Sequence, residues 1–136
     1  MNYYGKRNGM KTSPIGVEKK LRAQEEANQS RTFEGTLRLH RLDWWHNTIS
    51  QHSQPGWPDY TIFGDGWHAW VELKARSPMT KKRGQVSVGQ RRYQASIERS
   101  AGEWRTFCLP DDWPECDAWL NERTGHEIYT DGKLRT

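Results

Sequence analysis

One dipeptide, Asp65-Gly66, constrains the fold of this chain more than any other feature of its sequence. Asp-Gly favours a two-residue type I′ hairpin turn, in which both central residues take positive φ. Pairing the flanking segments about that turn sets Asp59 opposite Glu72, with Cβ atoms about 4.5–5.5 Å apart on one side of the sheet. Lys74, two residues beyond Glu72, falls on the same side. The sequence therefore predicts two carboxylates and an amine close together.

The other side of the predicted hairpin is apolar, which specifies the register. A shift of one residue would bury the acids and expose the apolar side chains. Two carboxylates this close repel each other unless a positive charge lies between them. The pair therefore indicates a divalent cation beside a lysine, or else an ordinary hairpin with solvated charges on its outer face. The predicted core face consists of Tyr60, Ile62, Ala69, Val71 and Leu73.

Composition sets the size of the core and excludes several classes. Apolar residues make up only 33% of the 136 residues and the mean hydropathy is −1.08, so we expect one domain with a small core, to which eight tryptophans contribute. No apolar run is long enough to cross a membrane, and there is no signal peptide. Cys108 and Cys116 suggest neither a disulfide framework nor a zinc site. We expect a cytoplasmic protein with no membrane partner.

Positive charge is concentrated directly after Lys74. Residues 75–100 hold seven basic side chains and one acidic one, whereas the whole chain has a net charge of +4. A basic segment beside an acidic pair favours a polyanionic partner such as nucleic acid; a solvated loop that aids solubility is the alternative. The predicted phosphate contacts are Arg76, Lys81, Lys82, Arg83, Arg91 and Arg92.

The N-terminal part of the chain has two helical patterns. Residues 1–31 are polar and predict an arm that is partly helical, with a helix that can begin at Pro14. A stronger pattern follows, which Ser30 or Thr32 can cap and which ends near Asp43. The sequence thus predicts an N-terminal arm followed by the first helix of the domain.

The central elements follow in a defined order. Residues 44–49 predict a strand before the hairpin. Ser87 and Gln90 have the spacing of a capping box, which starts a helix after the basic loop. Gly102 is predicted as the left-handed residue that ends this helix, and residues 104–109 as a last strand.

The C-terminal part predicts a short helix over residues 114–120 and a small strand at 127–129. We divide the chain into the arm, a domain over residues 32–120 and a tail over 121–136. The element order αβββαβ predicts an α/β fold with a small mixed sheet flanked by helices.

These residues resemble a known family. Gly56-Trp57-Pro58-Asp59, Val71-Glu72-Leu73-Lys74 and Gln90 together are similar to the motifs of the VRR-NUC branch of the PD-(D/E)XK nuclease superfamily, which is common in phages and mobile elements. The resemblance covers roughly residues 32–120. It implies a restriction-endonuclease-like core and a Mg²⁺- or Mn²⁺-dependent endonuclease that nicks DNA or selects branched DNA.

The resemblance also implies roles for individual residues. The metal ligands would be Glu34, Asp59, Glu72 and the carbonyl of Leu73, all of which are hard oxygen donors suited to Mg²⁺. Lys74 and Gln90 would join the three acids as catalytic residues. Glu34 is our choice for the acid that the family carries on its first helix, with Glu26 and Glu25 as alternatives.

Two other functions are compatible with parts of the sequence. The chain could be a nucleic-acid-binding module that keeps a nuclease fold but has lost activity. A carboxylate pair near 5 Å also occurs in retaining glycosidases, although the basic segment and Lys74 argue against a neutral sugar substrate. The expected partner is DNA in the cytoplasm of the cell, which would be the host cell if a phage encodes the chain. Family members of this size commonly form homodimers.

Overall fold

The computed structural model describes residues 14–47 and 56–130. Our predictions for residues 1–13, 48–55 and 131–136 lie outside the described residues. The chain folds into a mixed α/β structure with one four-stranded sheet flanked by helices. Its elements are α1 (Pro14–Leu39), β1 (Asp43–His46), β2 (Tyr60–Gly64), β3 (Trp67–Ala75), α2 (Val88–Arg99), β4 (Trp104–Leu109) and α3 (Trp113–Thr124).

The predicted hairpin and its register are confirmed. β2 and β3 pair antiparallel around Asp65-Gly66, with Tyr60 opposite Val71 and Ile62 opposite Ala69. Gly66 has φ of 82°, but Asp65 is not among the residues with positive φ, so the predicted type I′ turn is wrong. The register is unaffected, because the loop still has two residues between Gly64 and Trp67. The sheet order is β1-β2-β3-β4, and β4 pairs parallel to β3 after α2 crosses between them. The sheet is therefore mixed, as the element order predicts.

The core lies on the predicted apolar face of the hairpin. Tyr60, Ile62 and Val71 are completely buried there. α1 covers this face with Phe33 and Leu37, which are also completely buried, and the ring of Phe33 meets that of Tyr60 edge to face at 5.1 Å. The β4–α3 region completes the core with Phe107, Leu109, Trp113, Cys116, Trp119 and Leu120.

The prediction of two separate helical segments at the N-terminus is wrong. α1 is one continuous helix of 26 residues, so Ser30 and Thr32 lie inside it and do not cap it. Its first half is rich in Lys, Arg, Glu, Gln and Ala, which are strong helix formers. The helix ends at Leu39, earlier than predicted, because Arg41 takes a left-handed φ of 60°. The boundary that we drew between residues 31 and 32 falls within α1.

The end of α2 also differs from the prediction. Ala101, with φ of 64°, is the left-handed residue, and Gly102 is not. A side chain at Gly102 would place its Cβ 2.8 Å from the Trp70 ring and 2.8 Å from Cγ2 of Ile97. Glycine is therefore needed at this position for close packing.

The remaining C-terminal predictions are partly correct. The strand predicted over residues 104–109 is confirmed as β4. The helix predicted over 114–120 is longer: α3 runs to Thr124 and ends at Gly125, which has φ of 76°. Residues 127–129 form no strand. No helix in the described part of the chain is long and apolar enough to cross a membrane.

Candidate active site

The two acids face each other across the open end of the hairpin. The backbone N–H of Asp59 donates to Oε1 of Glu72 at 3.1 Å. In return, the backbone N–H of Leu73 donates to Oδ2 of Asp59 at 2.9 Å. The Glu72 carboxylate is thus held by the backbone of the residue that precedes β2, and the Asp59 carboxylate by the backbone of β3. Oδ1 of Asp59 takes part in neither bond.

Burial and repulsion make this pair electrostatically costly. Glu72 is only 3% exposed, and Nζ of Lys74 lies 3.0 Å from its Oε2. Burial and the charge of Glu72 raise the pKa of Asp59 to about 7, although the hydrogen bond from Leu73 and the charge of Lys74 oppose the rise. One lysine therefore does not compensate both carboxylates, and a further cation at the pair would be favourable.

The pair lies at a cleft of about 690 Å³ between α1 and the N-terminal end of α2, which we call the site cleft. Asp59, Glu72, Leu73 and Lys74 line it together, as the sequence predicts, and Gln90 lines it from α2. Its volume is in the range of ligand-binding clefts.

Three acids on α1 are candidates for a further ligand. Glu34 lines the site cleft, but its Oε2 accepts a hydrogen bond from the Tyr60 hydroxyl at 2.6 Å and lies 3.3 Å from Nδ1 of His46. Glu25 accepts a hydrogen bond from Gln29 on its own helix. These contacts commit both side chains to structural partners.

The charge of Glu26 acts on the acidic pair. Burial at the cleft wall raises the pKa of Glu26, the charges of Lys74 and Arg22 lower it, and the charge of Glu72 raises it further. Glu26 also contributes to the raised pKa of Asp59. Of the alternatives considered for the helix acid, Glu26 therefore has the strongest physical support.

The donor set fits magnesium better than zinc. Within residues 14–47 and 56–130, no three acidic, imidazole or thiol side chains converge closely enough to hold a metal ion by themselves. Zn²⁺ usually requires such a set of three or four protein ligands. Mg²⁺ commonly takes one or two carboxylates and completes its coordination with water and substrate phosphate. Two adjoining carboxylates with a neighbouring backbone carbonyl are compatible with the second arrangement.

The capping box that starts α2 is confirmed. The N–H of Ser87 donates to Oε1 of Gln90 at 3.0 Å, and the N–H of Gln90 donates to Oγ of Ser87 at 3.1 Å. The Nε2 group of Gln90 takes no part in this capping pair. Gln90 therefore serves as a structural cap while it lines the site cleft.

A close backbone contact positions α2 against the loop that carries Asp59, and the sequence reasoning missed it. Gly56 has φ of 102°, and a Cβ there would lie 2.6 Å from the carbonyl carbon of Gly89. The adjacent Trp57 ring packs edge to face on Tyr93 of α2 at 5.3 Å. The sequence shows Gly56 shortly before Asp59 and Gly89 directly before Gln90, but only the fold shows that these two glycines are in contact.

The predicted phosphate-binding residues fall into two groups. Arg76 and Arg83 are held by the turn between β4 and α3: Nε of Arg76 bonds Asp111 at 2.5 Å, and the Arg83 guanidinium bonds both oxygens of Asp112 at 3.1 and 2.7 Å. These two arginines are already paired. The other four, Lys81, Lys82, Arg91 and Arg92, are exposed.

The fold and the cleft define a small α/β protein with a closely opposed carboxylate pair and a lysine at one end of its sheet. Comparison of the chain with protein-family models, with curated proteins and with solved structures finds no match.

Proposed function

We propose that this protein is a Mg²⁺- or Mn²⁺-dependent endonuclease that hydrolyses phosphodiester bonds in DNA, built on a restriction-endonuclease-like core. The observation that carries the proposal is the opposition of Asp59 and Glu72, with Lys74 3.0 Å from Glu72, at an open cleft. Strongly perturbed acids in a cleft are typical of functional sites. Two like charges buried side by side do not stabilise a fold, so the pair has no structural explanation.

Asp59, Glu72 and the carbonyl of Leu73 would hold the metal, and Glu26 would add a further negative charge at the cleft wall. A metal ion bound there would acidify water and neutralise negative charge on the substrate phosphate. Oδ1 of Asp59 is available for this role because the backbone bond from Leu73 uses only Oδ2. The same backbone bonds fix both carboxylates before substrate binds, which reduces the reorganisation that the reaction requires.

Lys74 and Gln90 supply the hydrogen-bond donors. During hydrolysis, the attacking water gives up a proton to solvent as its oxygen bonds to phosphorus, the P–O ester bond breaks, and the departing oxygen takes up a proton from solvent. The ammonium of Lys74 can stabilise the negative charge that builds up on the phosphate oxygens. The Nε2 group of Gln90 can donate to the same phosphate, while its Oε1 remains bonded to Ser87. Lys74 thus has a chemical role, and Gln90 a positioning role at the phosphate.

DNA as substrate follows from charge. Arg91 and Arg92 directly follow Gln90, which lines the site cleft, and Lys82 lines an adjoining cleft that shares Lys74 with it. Contacts from Lys and Arg to phosphates hold a duplex without reading its sequence. We therefore propose that DNA structure, such as a branch point, rather than a base sequence selects the cleavage site.

The test is nicking of supercoiled plasmid with and without Mg²⁺. Wild type should convert the plasmid to open circles only when the metal is present, and Asp59→Ala, Glu72→Gln and Lys74→Ala should not. The three variants should still retard DNA in a gel, which separates loss of chemistry from loss of binding. Binding by wild type without cleavage in Mg²⁺ or Mn²⁺ would instead favour an inactive nucleic-acid-binding module.

A further inference from the structure

A second cleft adjoins the site cleft. It has a volume of about 470 Å³ and lies between the N-terminal half of α1 and the loop that follows β3. Both clefts are lined by Glu26 and Lys74, so they meet at the proposed catalytic lysine. We call the second cleft the loop groove; its walls are Glu18, Arg22 and Glu26 on one side and residues 74–85 on the other.

α1 forms a common wall along both clefts. Glu18, Arg22 and Glu26 follow each other at intervals of four residues and therefore share one stripe of the helix. From Glu18 to Glu26 this wall measures about 12 Å, at 1.5 Å per residue. One strand of duplex DNA advances about 3.4 Å per nucleotide, so the wall of the loop groove matches roughly three to four nucleotides. This is longer than the site cleft needs for one scissile phosphate.

The opposite wall is a folded loop. The Ser77 hydroxyl bonds Glu18 at 2.7 Å, and the Ser77 N–H donates to the Lys82 carbonyl at 2.9 Å. The N–H of Gly84 donates to the carbonyl of Ala75 at 3.1 Å. A Cβ at Gly84 would lie 2.7 Å from that carbonyl oxygen, so the loop backbone packs directly against the end of β3. The groove is therefore a built feature of the fold.

The cations of the loop groove suit a chain of phosphates. Lys82 is exposed on the loop wall. Arg22 on the opposite wall bonds Glu18 at 2.6 Å, but its side chain is 47% exposed. Such an exposed pair contributes little, about 0.2–1 kcal/mol, so a phosphate can take over the guanidinium. The bond from Ser77 to Glu18 ties the loop wall to α1 beside these charges.

On the basis of the proposed nuclease function, we propose that the loop groove binds the continuation of the cleaved strand on one side of the scissile phosphate, with Arg22 and Lys82 contacting its phosphates. Arg22 lies outside the basic segment after β3. The proposal therefore adds a residue of α1 to the substrate-binding surface and makes binding asymmetric about the cleavage site. One flank of the substrate should matter more than the other.

The test measures DNA binding without cleavage. In a Glu72→Gln background, the double variant Arg22→Gln/Lys82→Gln is compared with Lys19→Gln/Lys20→Gln, which removes the same charge from exposed residues that line neither cleft. The DNAs are a full-length substrate and two substrates that end at the cleavage site, one lacking each flank. Affinity is measured by fluorescence anisotropy over a series of salt concentrations.

The groove variant should bind the full-length substrate about tenfold more weakly, and its salt slope should fall by about 1.8, as expected for two lost contacts to duplex phosphates. The loss should disappear for one of the two truncated substrates, the one that lacks the flank lying in the groove. The control variant should retain affinity within about twofold. Equal losses on both truncated substrates, or equal losses in both variants, would overturn the proposal.

The two proposals can fail separately. If wild type cleaves DNA with Mg²⁺ and the groove variant binds like the control, the groove proposal is wrong and the nuclease proposal stands. If wild type neither binds nor cleaves DNA, both are wrong.

Discussion

Replacing Asp59 by asparagine should stabilise the metal-free protein while it abolishes cleavage. The pKa of Asp59 is raised from its usual 3.8 to about 7 by burial and by the charge of Glu72. A raised carboxyl pKa means that the folded state binds more protons than the unfolded state between these two values. The contribution of Asp59 to the free energy of unfolding therefore falls as pH rises from about 4 to 7.

The size of the effect follows from the pKa. One pKa unit corresponds to about 1.4 kcal/mol, so ionising Asp59 in the folded state costs about 4 kcal/mol above pH 7. Roughly 2–3 kcal/mol of this cost arises between pH 5 and pH 8. Asparagine keeps an oxygen for the bond from Leu73 but carries no charge. We expect Asp59→Asn to exceed wild type by about 2 kcal/mol or more at pH 8, and by less at pH 5.

The assay is urea unfolding of both proteins in EDTA at pH 5 and pH 8, with Asp43→Asn as a control. Asp43 is an exposed acid on β1 of the same sheet, so its replacement should change the free energy of unfolding by less than about 0.5 kcal/mol. Adding Mg²⁺ should then stabilise wild type more than Asp59→Asn, because the metal binds only the folded carboxylate pair. An Asp59→Asn protein that is no more stable than wild type at pH 8 would refute the reasoning.

Three further predictions follow from other contacts. Burial lowers the pKa of His40 from 6.5 to about 4, so stability should fall as pH drops through this window, and urea unfolding of His40→Gln should show a flatter pH dependence. Gly56→Ala should destabilise by about 1–2 kcal/mol more than Gly66→Ala in thermal unfolding, because both positions have positive φ but only the first meets the backbone of α2; equal losses would contradict this. Glu26→Gln should weaken Mg²⁺ binding in calorimetry more than Glu34→Gln, since Glu34 is held by a tyrosine; the reverse order would restore Glu34 as the helix acid.

The sequence predicts those parts of the fold that local chemistry specifies. The Asp65-Gly66 turn and the alternating flanks set the register, and the register alone brings Asp59 to Glu72. The capping box at Ser87 is equally local. These predictions hold because the position of a turn, strand periodicity and caps depend on residues that are neighbours in the chain, although the turn is not of the predicted type I′.

Other features depend on contacts between distant segments. The Tyr60 hydroxyl donates to Glu34, and the spacing along α1 does not show this contact, which bears on the choice between Glu26 and Glu34. The capture of Arg83 by Asp112, 29 residues away, is likewise invisible in the composition of the basic loop. Only the packed structure distinguishes paired charges from free ones.

Cleavage of labelled branched and linear DNAs tests the central claim most directly. Wild type and Glu72→Gln are compared in Mg²⁺, in Mn²⁺ and in EDTA. Wild type is predicted to cut at least one of these DNAs with either metal and none in EDTA, and Glu72→Gln to bind the same DNA without cutting it. Cleavage by Glu72→Gln at the wild-type rate, or no cleavage by wild type with either metal, would contradict the account.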